Sequence, residues 1–473
     1  MDPEAPSKDV DAFEPLTEEP RGKSIPEGKK LTQYLAAIFA TLGSMAVGTV
    51  LAWTSPVLPE LQAANSTLPV TLEEGSWIGS LLAVGAIAGS LPAGYLADRF
   101  GRKIVICATS APFLISWALV VGASSVAMLY VARLLAGLAT GVVSVVAPVY
   151  TSEVAETSVR GALGTLFQVM LTVGILFTYV VGAIADYTWL GIISATVPVA
   201  LLLTFSRMPE SPAHLVKVGK MDAAKKALRY FRGPQYEVDR ELADLQKAAR
   251  DASREETSLQ DLVSTPGARR ALVVGLGLMV FQQLSGINAV IFYSVDIFEA
   301  AGSTLDPKVA AIIVGVVQVV MSYAASAAVD RAGRRILLLV SASVMALCLA
   351  LLGFYFCLED AAGLGWLPLV CVTLFIIVFS LGFGPLPWMM MAELFAPRVK
   401  GNASSVAVCT NWTLVFLVTF SFGKLVAGLG EHTTFWIFAA ICACATVFVW
   451  RLVPETKGKS LDEIQRLLSG ERA

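Results

Sequence analysis

Twelve apolar runs, each of roughly the 20 residues that an α-helix needs to cross a bilayer, divide this chain. They fall at about 31–56, 76–97, 104–122, 126–149, 161–185, 187–206, 268–298, 308–329, 336–358, 366–392, 403–427 and 432–452, and are numbered spans 1 to 12. So many runs of that length leave too little polar surface for a soluble domain. The composition agrees: 56% of residues are hydrophobic and 15% charged, where a soluble protein carries about a quarter charged. Gly and Pro inside the runs are tolerable, because neighbouring helices re-satisfy freed backbone groups. The expected fold class is an all-α membrane protein with twelve transmembrane helices.

The runs form two related sets. Asp98-Arg-Phe-Gly-Arg-Lys103 returns 232 residues later as Asp330-Arg-Ala-Gly-Arg-Arg335. Glu153 with Arg160-Gly161 after span 4 is matched by Glu393 with Lys400-Gly401 after span 10. Pro209-Glu-Ser211 after span 6 is matched by Pro454-Glu-Thr456 after span 12. Three signatures in the same order mark an internal duplication, so two pseudo-symmetric six-helix bundles are expected. A two-half membrane chain points first to a transporter. The expected organisation is a disordered N-terminus (1–30), a first bundle (31–206), a helical cap (207–267), a second bundle (268–453) and a tail (454–473). Within the cap, Asp222–Phe231 and Val238–Arg250 read as short amphipathic helices.

Orientation follows from the basic residues. With the N-terminus in the cytoplasm, only Lys308 and Lys424 of 35 Lys+Arg fall in external segments, and Arg133 lies inside span 4, where it would serve packing or carbonyl capping. Both termini, the cap and the repeated charged words are then cytoplasmic. No apolar leader precedes span 1, so that span is expected to direct insertion itself. The net charge of −2 implies no attraction to nucleic acid. Seven cysteines within or beside apolar runs argue against a disulfide framework. Two histidines, no metal-ligand spacing, no catalytic triad and no phosphate loop argue against an enzyme, a metal or a cofactor.

The repeated charges read as a cytoplasmic gate of Arg99, Arg102, Glu153, Arg160, Glu210, Arg331, Arg334, Glu393, Lys400 and Glu455. Acidic helix ends and basic loops of facing halves would pair when the halves close on that side and separate when they open. One exposed pair contributes about 0–1 kcal/mol, but a partly dry network biases a two-state equilibrium. The alternative is that these residues only fix topology.

The words together resemble the sugar porter family of the major facilitator superfamily over about 30–460. The resemblance rests on Asp98–Lys103, Arg133-Leu-Leu-Ala-Gly137, Pro148-Val-Tyr-Thr-Ser-Glu153, Pro209-Glu-Ser-Pro212, Gln282-Gln-Leu-Ser-Gly-Ile-Asn288, Asp330–Arg335, Gly384-Pro-Leu-Pro-Trp388, Asn411-Trp412 and Pro454-Glu-Thr-Lys-Gly458. Within the family the likeness is strongest to animal facilitative hexose transporters and insect facilitated trehalose transporters. The chain departs at Ala213, Met279, Ser380 and Val415, where many members carry arginine, glutamine, glutamate and asparagine.

A reversible sugar site needs neutral donors and acceptors and an aromatic face. Gln282, Gln283 and Asn288 stand in apolar span 7. Residues 282 and 283 lie about 100° apart on a helix, so both reach one cavity only if the helix bends, and Gly286 is the expected bend. Pro385 and Pro387 break span 10 beside Trp388. Gln168, Gln318, Asn411 and Trp412 complete the set, which the resemblance matches to the family's sugar-contacting positions. The alternative for any one amide is interhelical glue. Phe292 and Tyr293 would form an external lid, as the resemblance implies, or plain core packing.

Proton-coupled family members resemble one another in an aspartate midway along span 1, and Leu31–Thr54 holds no carboxylate. Passive uniport is therefore expected. Asp186 and Asp296 are placed near external helix ends, within reach of solvent. Open alternatives are a proton symporter, a polyol carrier and a sugar sensor, the last disfavoured by a tail of about 20 residues. Glucose and trehalose are not separable, although small Ser380 and Val415 would enlarge a cavity. Asn65 is the acceptor topologically open to glycosylation. Glu463-Ile-Gln-Arg-Leu-Leu468 reads as a sorting word or an amphipathic helix end. The expectation is a monomer in the bilayer of the plasma membrane, with endosomal or lysosomal membranes as alternatives, and a small sugar as its partner.

Overall fold

The computed structural model describes residues 29–156, 158–253, 262–302, 305–358, 364–395, 397–459 and 461–469. The residues 1–28 and 254–261 of the expected N-terminus and cap, and the Lys400 side chain, lie outside the described parts. Every regular element among the described residues is helical. The apolar helices run Lys30–Gln62, Leu72–Phe100, Arg102–Val121, Val126–Val154, Arg160–Ile184 and Tyr187–Phe205 in the first half. In the second they run Pro266–Phe292, Pro307–Ala325, Arg334–Cys357, Leu367–Met391 and Ala403–Leu452. The last would be about 75 Å long as one rod, more than twice a bilayer core. Gly430, at φ 81° and ψ 162°, divides it into spans 11 and 12. The fold is two six-helix bundles, twelve spans in all.

Helix starts follow local chemistry. Span 2 begins four residues before its apolar run because Thr71 and Glu74 cap each other: the Thr71 hydroxyl accepts from the Glu74 amide, and the Glu74 carboxylate accepts from the Thr71 amide. The side chains of Asp186, Thr265 and Asp306 accept from first-turn amides and cap spans 6, 7 and 8. Inside each bundle small residues let backbones touch. A Cβ on Gly137 would lie 2.1 Å from the Leu82 carbonyl, and one on Gly174 2.1 Å from that of Met45, so spans 4 and 2, and spans 5 and 1, are in direct main-chain contact.

Arg133 explains itself against that packing. It is 2% exposed, and its Nε and one terminal nitrogen donate to the carbonyls of Ile78 (2.9 Å) and Val50 (2.6 Å). It ties spans 1, 2 and 4 together through carbonyls, with the Trp53 ring 5.5 Å from its guanidinium.

The cap comprises Pro212–Lys217, Met221–Arg232 and Val238–Ser253, one short helix more than the sequence periodicity shows. Its buried Ala227 and Phe231 join the apolar core of the bundles. The Lys29 amide and the Thr32 hydroxyl donate to the carbonyls of Arg232 and Phe231 at 2.8 and 3.0 Å. Fully buried Gln33 accepts from the Glu156 amide. Arg232, 3% exposed, donates to the Val154 carbonyl at 2.8 Å and forks onto Glu241. These contacts make the cap and the first bundle one body. The helix Leu461–Ser469 packs its buried Ile464 and Leu468 on the second bundle, where Arg270 donates to the Leu468 carbonyl. The dileucine word is thus helical, with one leucine buried.

Candidate functional site

The chain alternation gives the bundle two ends, one bearing the cap and the repeated charged words (the cap end) and the opposite (the far end). At the cap end the three repeated words interlock within each half. Arg102 Nε and a terminal nitrogen meet the two Glu153 oxygens at 3.0 Å each, and the Ser211 hydroxyl donates to the same carboxylate at 2.5 Å. In the second half Arg334 donates to Glu393 at 3.1 and 3.3 Å, and Thr456 donates to it at 2.5 Å. The third residue of Pro-Glu-Ser/Thr therefore completes an arginine–glutamate–hydroxyl triad in each copy.

Glu210 and Glu455 do something else. Glu210 accepts from the Lys103 amide at 3.1 Å, and Glu455 accepts from the amides of Arg334 and Arg335 at 3.0 and 3.1 Å. Both are anions at the N-terminus of a span, where unpaired amides and the helix dipole favour negative charge. Burial pushes the Glu455 carboxyl up, but the amides of Lys457, Arg334 and Arg335 outweigh it and hold it below its ordinary value. Sequence reasoning grouped these two with the side-chain ion pairs; their partners are main-chain amides.

The expected gate residues take these partners. Four ion pairs of this end each lie within one half or between the first half and its cap: Arg102 with Asp98 and Glu153, Lys217 with Asp98, and Arg334 with Glu393. Arg99 instead donates to the Tyr95 hydroxyl and lies over Phe100. Arg160 and Arg331 are exposed.

The amides of span 7 sit midway. Span 7 is helical from Pro266 to Leu284, breaks at Ser285–Gly286, where Gly286 takes φ +89°, and resumes at Ile287. Gln282 and Gln283 both precede the break, so the bend does not bring them together; their own side chains do. Asn288 Nδ2 donates to Gln283 Oε1, and Gln283 Nε2 donates to Asn411 Oδ1 and, at 3.2 Å, to Gln282 Oε1. Gln282 Nε2 in turn donates to the carbonyls of Phe383 and Gly384 at 2.6 and 2.8 Å. The Phe383 carbonyl is free because Pro387, four residues on, has no N–H to offer it. Gln282 thus closes the break in span 10, and the chain of amides leaves the Asn411 amino group and the Asn288 carbonyl oxygen at its ends for a ligand.

Trp388, just past the break between Leu381 and Leu386, is 42% exposed, whereas Trp412 is 7% exposed. Gln168 is half-buried, Gln318 is 3% exposed, and neither side chain has a hydrogen bond among the described residues. Their spans, 5 and 8, meet along the seam between the halves, where Gly315 lies against Tyr179 and Leu176.

At the far end the halves are joined. Thr54 donates to the Phe292 carbonyl at 3.0 Å, Tyr179 to the Ile291 carbonyl at 2.8 Å, and the Val295 amide to Ser55 Oγ at 3.2 Å. Trp77 packs on Phe416 and Phe420 across the seam. Phe292 is fully buried, and Tyr293 donates to the Thr419 carbonyl beside Gly79. Sequence reasoning missed Thr54, Ser55 and Tyr179, since a hydroxyl in an apolar run carries no signal of its partner. A cavity of about 160 Å³ remains there, lined by Gln62, Ser76, Tyr293, Asp296 and Phe422. Asp296 is half-buried at the wall of this cavity, with its Oδ2 buried and without a hydrogen-bond partner among the described residues. Asp186 is exposed and caps span 6.

Two bundles of six spans, related by internal repeat and holding a neutral polar cluster at facing helix breaks, define a major facilitator fold. The xylose symporter XylE bound to 6-bromo-6-deoxy-D-glucose superposes on it with a TM-score of 0.75, at 24% identity, over 93% of this chain and 99% of that one. The inward-open xylose transporter XylE from E. coli gives 0.76, at 24% identity, over 91% and 98%. A family model described as "Sugar (and other) transporter" matches residues 36–468, and the chain belongs to that family. Facilitated trehalose transporter Tret1 of Anopheles gambiae is 43% identical over 93% of this chain and 56% of its own length. Tret1 of Culex quinquefasciatus is 42% identical over 93% and 86%. The chain spans about half the length of several of these relatives.

Proposed function

We propose that this chain is a facilitative sugar carrier working by alternating access, with trehalose or a hexose such as glucose as substrate. The observation that carries the reading is the chain of neutral amides Asn288–Gln283–Asn411, open at both ends at the break of span 7 and tied through Gln282 to the break of span 10, four residues before exposed Trp388. Uncharged donors and acceptors suit hydroxyls, and an indole face suits the apolar face of a pyranose. Gln168 and Gln318, unbonded on the seam helices, complete the polar lining. The likeness to trehalose transporters favours the disaccharide.

The cap end faces the cytoplasm in this reading, following the basic residues. The structure then represents the carrier closed outside by Phe292 and Tyr293 with their N-half partners. The two triads brace the cytoplasmic base of each half, and together with Arg160 and Lys400 supply the charges that meet when that side closes. Uniport is supported by a span 1 without carboxylate and by Arg133, whose described contacts are carbonyls and a ring. Plasma-membrane residence, a monomeric unit and glycosylation at exposed Asn65 belong to the same proposal.

Counterflow of labelled trehalose and glucose in proteoliposomes is the test. Exchange of one of them, unaffected by a protonophore, is the expected result. Failure of both sugars overturns the substrate class, and protonophore-sensitive accumulation overturns uniport.

A further inference from the structure

We infer that three hydroxyls of the first half, Thr54, Ser55 and Tyr179, form a latch that closes the far end by completing the broken main chain of span 7. The inference rests on the alternating-access reading but not on the identity of the sugar.

Span 7 leaves helical geometry a second time at Tyr293, with φ −129° and ψ 27°. Groups on either side of such a turn lose their regular i to i−4 partners and, away from water, must find others. Those partners come from the other half. The Ile291 carbonyl accepts from Tyr179 of span 5, the Phe292 carbonyl from Thr54 of span 1, and the Val295 amide donates to Ser55. The Val290 carbonyl is served locally by the Ser294 hydroxyl, which also lies 3.3 Å from the Tyr179 hydroxyl. All of these groups are buried: Thr54 and Ser55 are fully covered, Tyr179 is 3% exposed and Ser294 1%.

The energetic consequence is one-sided. In the closed state the turn at Tyr293 is dry, and removing a hydroxyl leaves a carbonyl or amide unsatisfied. In the open state water reaches the turn and replaces the missing partner. The hydroxyls therefore stabilise one conformation and not the other, which is the condition for a residue to shift a two-state equilibrium. Thr54 and Ser55 follow Trp53, which keeps helical dihedrals (φ −55°, ψ −38°), so an unbroken stretch of span 1 faces the turn of span 7.

The test uses the full chain in proteoliposomes, on a background lacking the seven native cysteines. Ser76→Cys is the reporter, because Ser76 is 3% exposed and Gly423 of the other half lies against it. The probe is a membrane-impermeant maleimide applied from the far side without sugar. Thr54→Val, Ser55→Ala and Tyr179→Phe are each expected to raise the labelling rate about two- to tenfold, whereas Thr54→Ser, which keeps the hydroxyl, leaves it at the parental rate. The far-side half-saturation for transport falls and the cap-side value rises by a matching factor. Unchanged labelling in all three variants, with or without a lowered thermal midpoint, overturns the latch. Absence of counterflow in the parent, with labelling shifted as expected, overturns the sugar reading and leaves the latch standing.

Discussion

Gly101 and Glu210 approach so closely that a Cβ on the glycine would lie 2.2 Å from the Glu210 carboxylate, and Gly101 holds φ at +100°. The glycine of the repeated Asp-Arg-x-Gly-Arg word is there because the chain must turn left-handed and admit a carboxylate to the first amides of span 3. Its copy, Gly333 at φ +88°, faces Glu455 with more room, at 2.8 Å. Gly101→Ala is expected to cost about 1–3 kcal/mol from backbone strain, and more from displacing Glu210. Gly333→Ala should cost less. Thermal midpoints in detergent give the order, and a larger loss at 333 contradicts it.

The two triads differ in quality, and their variants should show it. Arg102 spans both Glu153 oxygens with 9% and 18% of the two side chains exposed, while Arg334 uses one Glu393 oxygen with 13% and 24% exposed. Glu153→Gln is expected to lower stability by about 1–3 kcal/mol, and Glu393→Gln by less. Equal losses, read by thermal unfolding of each variant, would show that burial does not set the strength of these pairs.

His214 introduces a pH dependence into the first triad only. Its Nδ1 lies 2.9 Å from Arg102, which can only donate, so the ring accepts there as neutral imidazole. Burial first and Arg102 second hold its pKa below the ordinary 6.5, with Lys217 adding to this and Glu153 and Asp98 opposing it. The folded state thus disfavours the proton. The stability this confers is complete above pH 6.5 and is lost as the pH falls through the lowered folded value. The thermal midpoint should drop on acidification in the parent, with a smaller drop in His214→Phe. An identical acid profile in both removes His214 from the account.

Gln283 links Asn288, Asn411 and Gln282, and it is the amide whose loss should reach transport most directly. Gln283→Leu keeps the volume and removes the hydrogen bonds. Half-saturation for sugar should rise by the equivalent of about 1–3 kcal/mol, with expression and thermal midpoint near the parent. Unchanged half-saturation would take the site out of span 7.

Sequence alone determined the class of fold, the twelve spans, their division into two related halves and membership of the sugar transporter family. These depend on run length, composition and ordered words, all of which are local properties of the chain. Gly286, Pro385 and Pro387 mark in the sequence where helices part, because those residue types act on the backbone at their own position. Tertiary structure decided the partners. Only packing shows that Glu210 and Glu455 serve main-chain amides, that Arg102 and Arg334 pair inside their own halves, and that Gln282 is engaged with carbonyls of span 10. It also decided that Asp296 lines a cavity at the far end and that three unremarkable hydroxyls meet the broken backbone of span 7. A side chain's hydrogen-bonding capacity is written in its residue type, but the group that uses it lies up to 240 residues away in the chain, where only the closed fold brings the two within reach.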